Sequence, residues 1–120
     1  MQSVLVVEDD KKISMALALR LKSMGYTVDS VADAVYAMNA AIRSKPEVVL
    51  LDINLPGGDG FVVADRLRAS AELGETPIIF ITASRDPALR MRAGQYDDSR
   101  FIEKPFRAGE LTDAIDQLCH

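Results

Sequence analysis

The feature that most limits how this chain can fold is a set of short apolar runs that do not alternate. Val4-Leu5-Val6-Val7, Val48-Val49-Leu50-Leu51 and Ile78-Ile79-Phe80-Ile81 are rich in β-branched side chains and lack the apolar–polar rhythm of a half-exposed strand. Strands of that content need cover on both faces, which points to a parallel sheet between two layers of helix. Thr27–Val31 and Arg100–Glu103 are weaker strand candidates.

Between the runs the apolar spacing is helical. Ile13, Leu17, Leu21 and Met24 form one stripe, followed by Gly25 as a C-terminal cap. Ala34, Ala37, Met38, Ala41 and Ile42 form a second, stopped by Lys45-Pro46. Val63, Ala64, Leu67 and Ala71 form a third that ends before Gly74, and Leu111, Ala114, Ile115 and Leu118 form the last. Strand followed by helix, five times within 120 residues, predicts an α/β fold. The expected architecture is a doubly wound (βα)5 five-stranded parallel sheet, with residues 1–120 as a single domain. A chain of this length buries roughly two-thirds of its unfolded surface, enough for a core without staples.

Composition narrows the function classes. With 48% hydrophobic and 27% charged residues the chain is an ordinary globular one, not a disordered one. A net charge of −4 argues against a direct nucleic-acid or anionic-membrane surface. The single cysteine, Cys119, excludes an internal disulfide and a cysteine-based zinc site; beside His120 it reads as an inert thiol. No apolar run approaches the ~18–20 residues of a membrane helix and no signal peptide leads the chain, so a small cytoplasmic protein is expected.

The residues that close each run carry the chemistry. The first run ends in Glu8-Asp9-Asp10, the third strand in Asp52, the fourth in Thr82-Ala83-Ser84 and the fifth in Lys104-Pro105. In an open parallel sheet the carboxyl ends of the strands share one edge, where ligands bind. Glu8, Asp9, Asp52, Thr82 and Lys104 should therefore meet. Three adjacent carboxylates oppose one another's ionisation, so either one keeps a proton or a cation sits among them. Hard oxygen ligands without histidine or thiolate favour Mg²⁺, with Mn²⁺ as a possible substitute, and such a site suits phosphoryl transfer. Asp52 is the nucleophile candidate; the glycines and proline of Asn54-Leu55-Pro56-Gly57-Gly58-Asp59-Gly60 permit unusual backbone angles and close approach to an anion. Taken singly, each feature has a plainer meaning. Glu8-Asp9-Asp10 can be a first-turn acidic cluster, Asp52 a turn aspartate, Thr82 or Ser84 a helix cap, and Lys104 a solvated lysine.

Together these motifs resemble a response-regulator receiver domain of bacterial two-component signalling, across essentially the whole chain. Val6-Val7-Glu8-Asp9-Asp10 resembles the family's acidic pair, Leu51-Asp52-Ile53-Asn54-Leu55-Pro56-Gly57 its phosphoacceptor stretch, and Ile81-Thr82-Ala83 its switch hydroxyl. Phe101, three residues before Lys104, stands at the switch-aromatic position, and Lys104-Pro105-Phe106 matches the phosphate-pairing lysine with its proline, commonly preceded by a cis bond. The resemblance implies a flavodoxin-like receiver fold. It implies a metal site of Glu8, Asp9, Asp52 and the backbone carbonyl of Asn54, with Asp52 phosphorylated by a sensor histidine kinase, a histidine phosphotransfer protein or a small phosphodonor. Thr82 then moves toward the acyl phosphate and Phe101 turns inward. The face formed by the fourth helix, fifth strand and fifth helix changes, and an unknown downstream protein reads it. The domain acts as a switch rather than an enzyme, catalysing only its own phosphorylation and dephosphorylation. Asn54 and Ser84 stand at positions that tune phosphoaspartate lifetime; neither brings a carboxylate or bulky shield, so an unexceptional lifetime is expected.

One stretch departs from the family. A Gly-Ala pair shortly before the lysine is usual; here the residues are Asp97-Asp98-Ser99-Arg100, and the nearest glycine is Gly94. If Gly94 caps the fourth helix, which starts near Asp86-Pro87, that helix has only two turns and Gln95–Arg100 is irregular, leaving the helix short, mobile or displaced. Arg85, Arg90, Arg92 and Arg100 read as a solvated face, with partner docking as the alternative.

Three rivals remain at this point. A phosphoester hydrolase of haloacid-dehalogenase type would want an aspartate where Asn54 stands. A flavodoxin-type flavin or nucleotide binder would want a phosphate loop where Glu8-Asp9-Asp10 would repel one. A phosphorylation-independent pseudo-receiver would have no use for the intact site. No output domain is visible after the fifth helix, so the expectation is a stand-alone regulator or a receiver from a longer protein such as a hybrid kinase.

Overall fold

The computed structural model describes residues 2–119; His120, the expected neighbour of Cys119, and Met1 lie outside them. The elements are β1 (Ser3–Val7), α1 (Lys11–Ser23), β2 (Thr27–Val31), α2 (Ala34–Ser44), β3 (Val48–Asp52), α3 (Gly60–Ala69), β4 (Ile78–Thr82), α4 (Pro87–Ala93), β5 (Ser99–Glu103) and α5 (Ala108–Leu118). All pairings are parallel and the sheet order is β2-β1-β3-β4-β5. The doubly wound five-stranded sheet expected from the alternation is the observed one.

The non-alternating runs are explained by two cores. Leu5, Val7, Val49, Leu51, Ile78 and Phe80 pack toward α2, α3 and α4. Val4, Val6, Val48, Leu50, Ile79 and Ile81 pack toward α1 and α5. Each such side chain contributes roughly 1.5–3 kcal/mol when withdrawn from water, on both faces of the same strand. The weak candidates β2 and β5 are the edge strands, and Asp29, Ser30 and Arg100 on them are exposed.

Aspartates start four of the helices. Asp10, Asp33, Asp59 and Asp86 are the N-caps of α1 to α4, each side chain accepting from a backbone N–H of the first turn. Asp10 therefore fills the plainer role open to the acidic cluster. Gly25, at φ 95°, follows the C-cap of α1 as expected. Two stripe assignments need correction. Ile42 is 47% exposed rather than buried. Ala71 is not in a helix: α3 stops at Ala69, the Ser70 hydroxyl accepts from the Leu73 N–H, and Leu73 fills the core in its place. A serine that bonds forward to the backbone offers the chain a turn that competes with another helical turn.

The fourth helix is short, as Gly94 implies. It has 7 residues with Gly94 at its C-cap. The irregular segment runs only from Gln95 to Asp98, because Ser99 and Arg100 already belong to β5. It is anchored. Tyr96 stacks on Phe61 at 6.1 Å and its hydroxyl donates to Asp65. The Arg68 guanidinium donates to the carbonyls of Thr76 and Asp97, both at 2.6 Å.

Candidate functional site

The parallel sheet brings the chain-distant strand ends to one edge. The chain runs from β1 to β2 on one side and then returns to β3 on the other, so the crevice between β1 and β3 is the topological switch point. Glu8 follows β1 and Asp52 ends β3, on either side of that crevice. Thr82 ends β4, and Lys104 follows β5.

Lys104 sits between the two buried carboxylates. Its Nζ lies 2.6 Å from Glu8 Oε1 and 3.2 Å from Asp52 Oδ2. Glu8 is 4% exposed and Asp52 5%. Each carboxylate also accepts from backbone: Glu8 Oε2 from the Asp10 N–H at 3.2 Å, Asp52 Oδ1 from the Asn54 N–H at 3.0 Å. Burial and the hydrogen-bonded Asp52 push the Glu8 pKa up to about 7, against the pull of Lys104. Burial alone would lower the Lys104 pKa; pairing with Glu8 and Asp52 outweighs it and raises the value. The crevice thus holds a carboxyl of raised pKa and a lysine ammonium between the two buried carboxylates.

Asp9 is exposed and completes a third side of the pocket. One oxygen each of Glu8, Asp9 and Asp52 lies within 4.8 Å of the others. Three carboxylate oxygens at that spacing, with no nitrogen or sulfur ligand, fit a small hard divalent cation that keeps waters of its own, as Mg²⁺ does.

Thr82 is fully buried and its hydroxyl is shared. It accepts from the Ser84 N–H at 3.1 Å and from the Asn54 side-chain amide at 3.4 Å. Asn54 therefore touches both Asp52, through its backbone, and Thr82, through its side chain. Sequence spacing gave no sign of this link, because it depends on how the loop after β3 folds over β4. Phe101 is half-buried on the side of the sheet that faces α4, opposite Phe80 in the β4–β5 register. Thr82 lies on the neighbouring strand, opposite Glu103. Lys104–Pro105 is a cis peptide bond.

The glycine-rich loop after β3 also packs closely on its own scaffold. A Cβ on Gly60 would stand 2.5 Å from the Asp52 carbonyl oxygen and 2.9 Å from Ile53 Cα, so only glycine lets α3 begin against the backbone of the site. Gly57, at φ 79°, approaches Val35 of α2. Gly57 and Gly58 take the positive φ expected of this loop, and Gly60 lets it close on its own scaffold.

Residues 4–116 match the family model described as the response regulator receiver domain. The chain is 40% identical over 110 residues to the transcriptional regulatory protein TcrA of Mycobacterium tuberculosis, covering 90% of this chain and 42% of that protein. It spans less than half the length of the curated relatives it matches. The structure is similar to the receiver domain of the sensor histidine kinase PA1611 of Pseudomonas aeruginosa, which holds a magnesium ion in its active-site cleft. The TM-score is 0.88 at 31% identity, covering 98% of this chain and 96% of that one. It is also similar to the chemotaxis protein CheY4 of Vibrio cholerae, with TM-score 0.90 at 25% identity and 98% of each chain covered.

Proposed function

Because the chain belongs to the response-regulator receiver family, we propose that residues 1–120 form a phosphorylation-activated signalling switch with Asp52 as the acceptor. A sensor histidine kinase or a histidine phosphotransfer protein is the donor, in the cytoplasm where ATP feeds it. The supporting observation is the convergence at the switch point. A buried carboxylate faces the crevice with an ammonium 3.2 Å away and two further carboxylates beside it.

An oxygen of Asp52 attacks phosphorus, the P–N bond of the donor breaks, and the histidine nitrogen leaves with the bonding pair. Lys104 already pairs with Asp52 and is placed to neutralise charge on the incoming group. Bound at Glu8, Asp9, Asp52 and the Asn54 carbonyl, Mg²⁺ would offset the negative charge of the phosphoryl oxygens and of the carboxylates around them. Thr82 is the relay. Its hydroxyl can exchange its contacts with Asn54 and the Ser84 N–H for one with the new group, and Phe101 answers on the far side of β4. The α4–β5–α5 face then carries the signal to a downstream protein. This is a shift between two arrangements, and the phosphoryl group must bind the signalling one better. Asn54, two residues after the acceptor, and Ser84, two residues after Thr82, set the hydrolysis rate, within the ordinary range.

Intact mass after incubation with acetyl phosphate and Mg²⁺ tests the proposal. One phosphoryl group is gained by the wild type and none by Asp52→Asn or in the presence of a chelator. Catalytic turnover of a small phosphate ester without a protein-bound phosphoryl group would instead mark a hydrolase. A folded wild type that stays unmodified with acetyl phosphate and with a phosphorylated histidine phosphotransfer protein would end the proposal.

A further inference from the structure

We propose that Arg90 of α4 is a positioning residue that pins the half-buried Phe101 ring in the seam between α4 and β5, and so opposes the change of state at the strand ends. This deepens the switch described above and rests on it. The Arg90 guanidinium carbon lies 4.6 Å from the centroid of the Phe101 ring. The same guanidinium reaches Glu103 Oε1 with Nη2 at 3.3 Å. Phe101 and Glu103 are two apart on β5 and project to the same side, so one side chain from α4 grips two successive neighbours on that strand. A planar, always charged guanidinium suits this double use, its face on the ring and its edge on the carboxylate.

The grip closes a circuit through the site. Glu103 pairs with Thr82 in the β4–β5 ladder, and Lys104, next in the chain, donates its N–H to the Thr82 carbonyl at 2.8 Å. On the other side, the Thr82 hydroxyl accepts from Ser84, the Ser84 hydroxyl accepts from the Asp86 N–H at 3.3 Å, and Asp86 caps α4. Thr82 is thus tied to Arg90 through the loop before α4 and to Phe101 and Glu103 through the sheet. A ring that turns inward must leave the guanidinium, and a displaced β4–α4 loop carries the guanidinium away from the ring. Either motion breaks the same contact. Arg92 supplies an internal comparison. It lies 4.2 Å from the Phe61 ring of α3 and makes the same kind of contact without engaging β5.

Fluorinated phenylalanine, with the Phe101 signal assigned by Phe101→Leu, reads the ring directly in the unphosphorylated protein. The wild type and Arg92→Ala give one sharp Phe101 resonance; Arg90→Ala gives a second, exchanging one, and Arg90→Lys an intermediate result. The Arg90 side chain is 59% exposed, so folding should survive, and Arg90→Gln serves if Arg90→Ala does not fold. In parallel, the initial rate of phosphorylation by acetyl phosphate with Mg²⁺ rises about two- to fivefold in Arg90→Ala and stays at the wild-type value in Arg92→Ala. A single sharp Phe101 resonance in Arg90→Ala, or a rate no higher than wild type, overturns the proposal. If the wild type itself takes no phosphoryl group, the acceptor role of Asp52 fails, and the fluorine spectra still decide whether Arg90 confines the ring.

Discussion

Glu8 is the side chain whose ionisation the fold alters most at the acidic crevice, with burial and Asp52 together raising its pKa from 4.5 to about 7. A carboxyl with a raised folded pKa binds its proton more tightly in the fold than in the unfolded chain. Its contribution to stability is complete below 4.5 and is lost as pH rises through about 7. In metal-free protein the urea midpoint of the wild type should fall relative to that of Glu8→Gln between those two pH values. A constant difference across the range would mean that Glu8 ionises normally. Lys104 carries the opposite expectation. Lys104→Met leaves Glu8 and Asp52 without their counter-charge, and above pH 7 this should cost about 3–5 kcal/mol in a metal-free denaturation experiment. At this scale the strand ends were informative about which groups meet: Glu8, Asp9, Asp52 and Lys104 converge, and Thr82 is joined to Asp52 through Asn54. The sequence was silent about the amide of Asn54 reaching Thr82 and about Arg90 and Arg92 lying over rings. Those contacts depend on the placement of a loop and a short helix, which no periodicity encodes.

Among the elements, α4 and its exit strand depart furthest from expectation. Gly94 marked the end of α4 correctly, yet what replaces further helix is an anchored strap rather than a loose one. Arg68 donates to carbonyls of Thr76, Asp97 and Asp98, while Asp98 takes φ 52° and Ser99 Oγ donates to the carbonyls of Ala93 and Tyr96. Arg68→Ala removes the donor shared by those carbonyls. It should lower stability by roughly 1–3 kcal/mol and speed amide hydrogen exchange in residues 95–99, with α1 and β1 unaffected. Uniform acceleration across the molecule would show that Arg68 supports the fold at large rather than this strap. The strap escaped detection in the sequence because its anchors sit on α3, about 30 residues earlier in the chain. The central strands were legible for the opposite reason: cover on both faces leaves a short, β-branched apolar run without alternation. The end of α3 was not legible, because Ala71 keeps the helical spacing and only the Ser70 hydroxyl turns the chain away.

For the molecule as a whole, net charge and metal binding act together. A chain at −4 that collects three carboxylates in one crevice should gain stability from a divalent cation. At a hundredfold excess over its dissociation constant, Mg²⁺ adds about 2.7 kcal/mol, raising the thermal midpoint by about 10 °C for a domain of this size. Scanning calorimetry with and without Mg²⁺ checks this, and the increment should vanish in Asp52→Asn combined with Glu8→Gln. An equal increment in that double variant would place the ion elsewhere. The ammonium that completes the crevice joins Glu8 across 96 positions of chain and Asp52 across 52. On the ribosome, both acids emerge long before their cation. The crevice is complete only once β5 has joined the sheet and carried the ammonium to its two buried carboxylates.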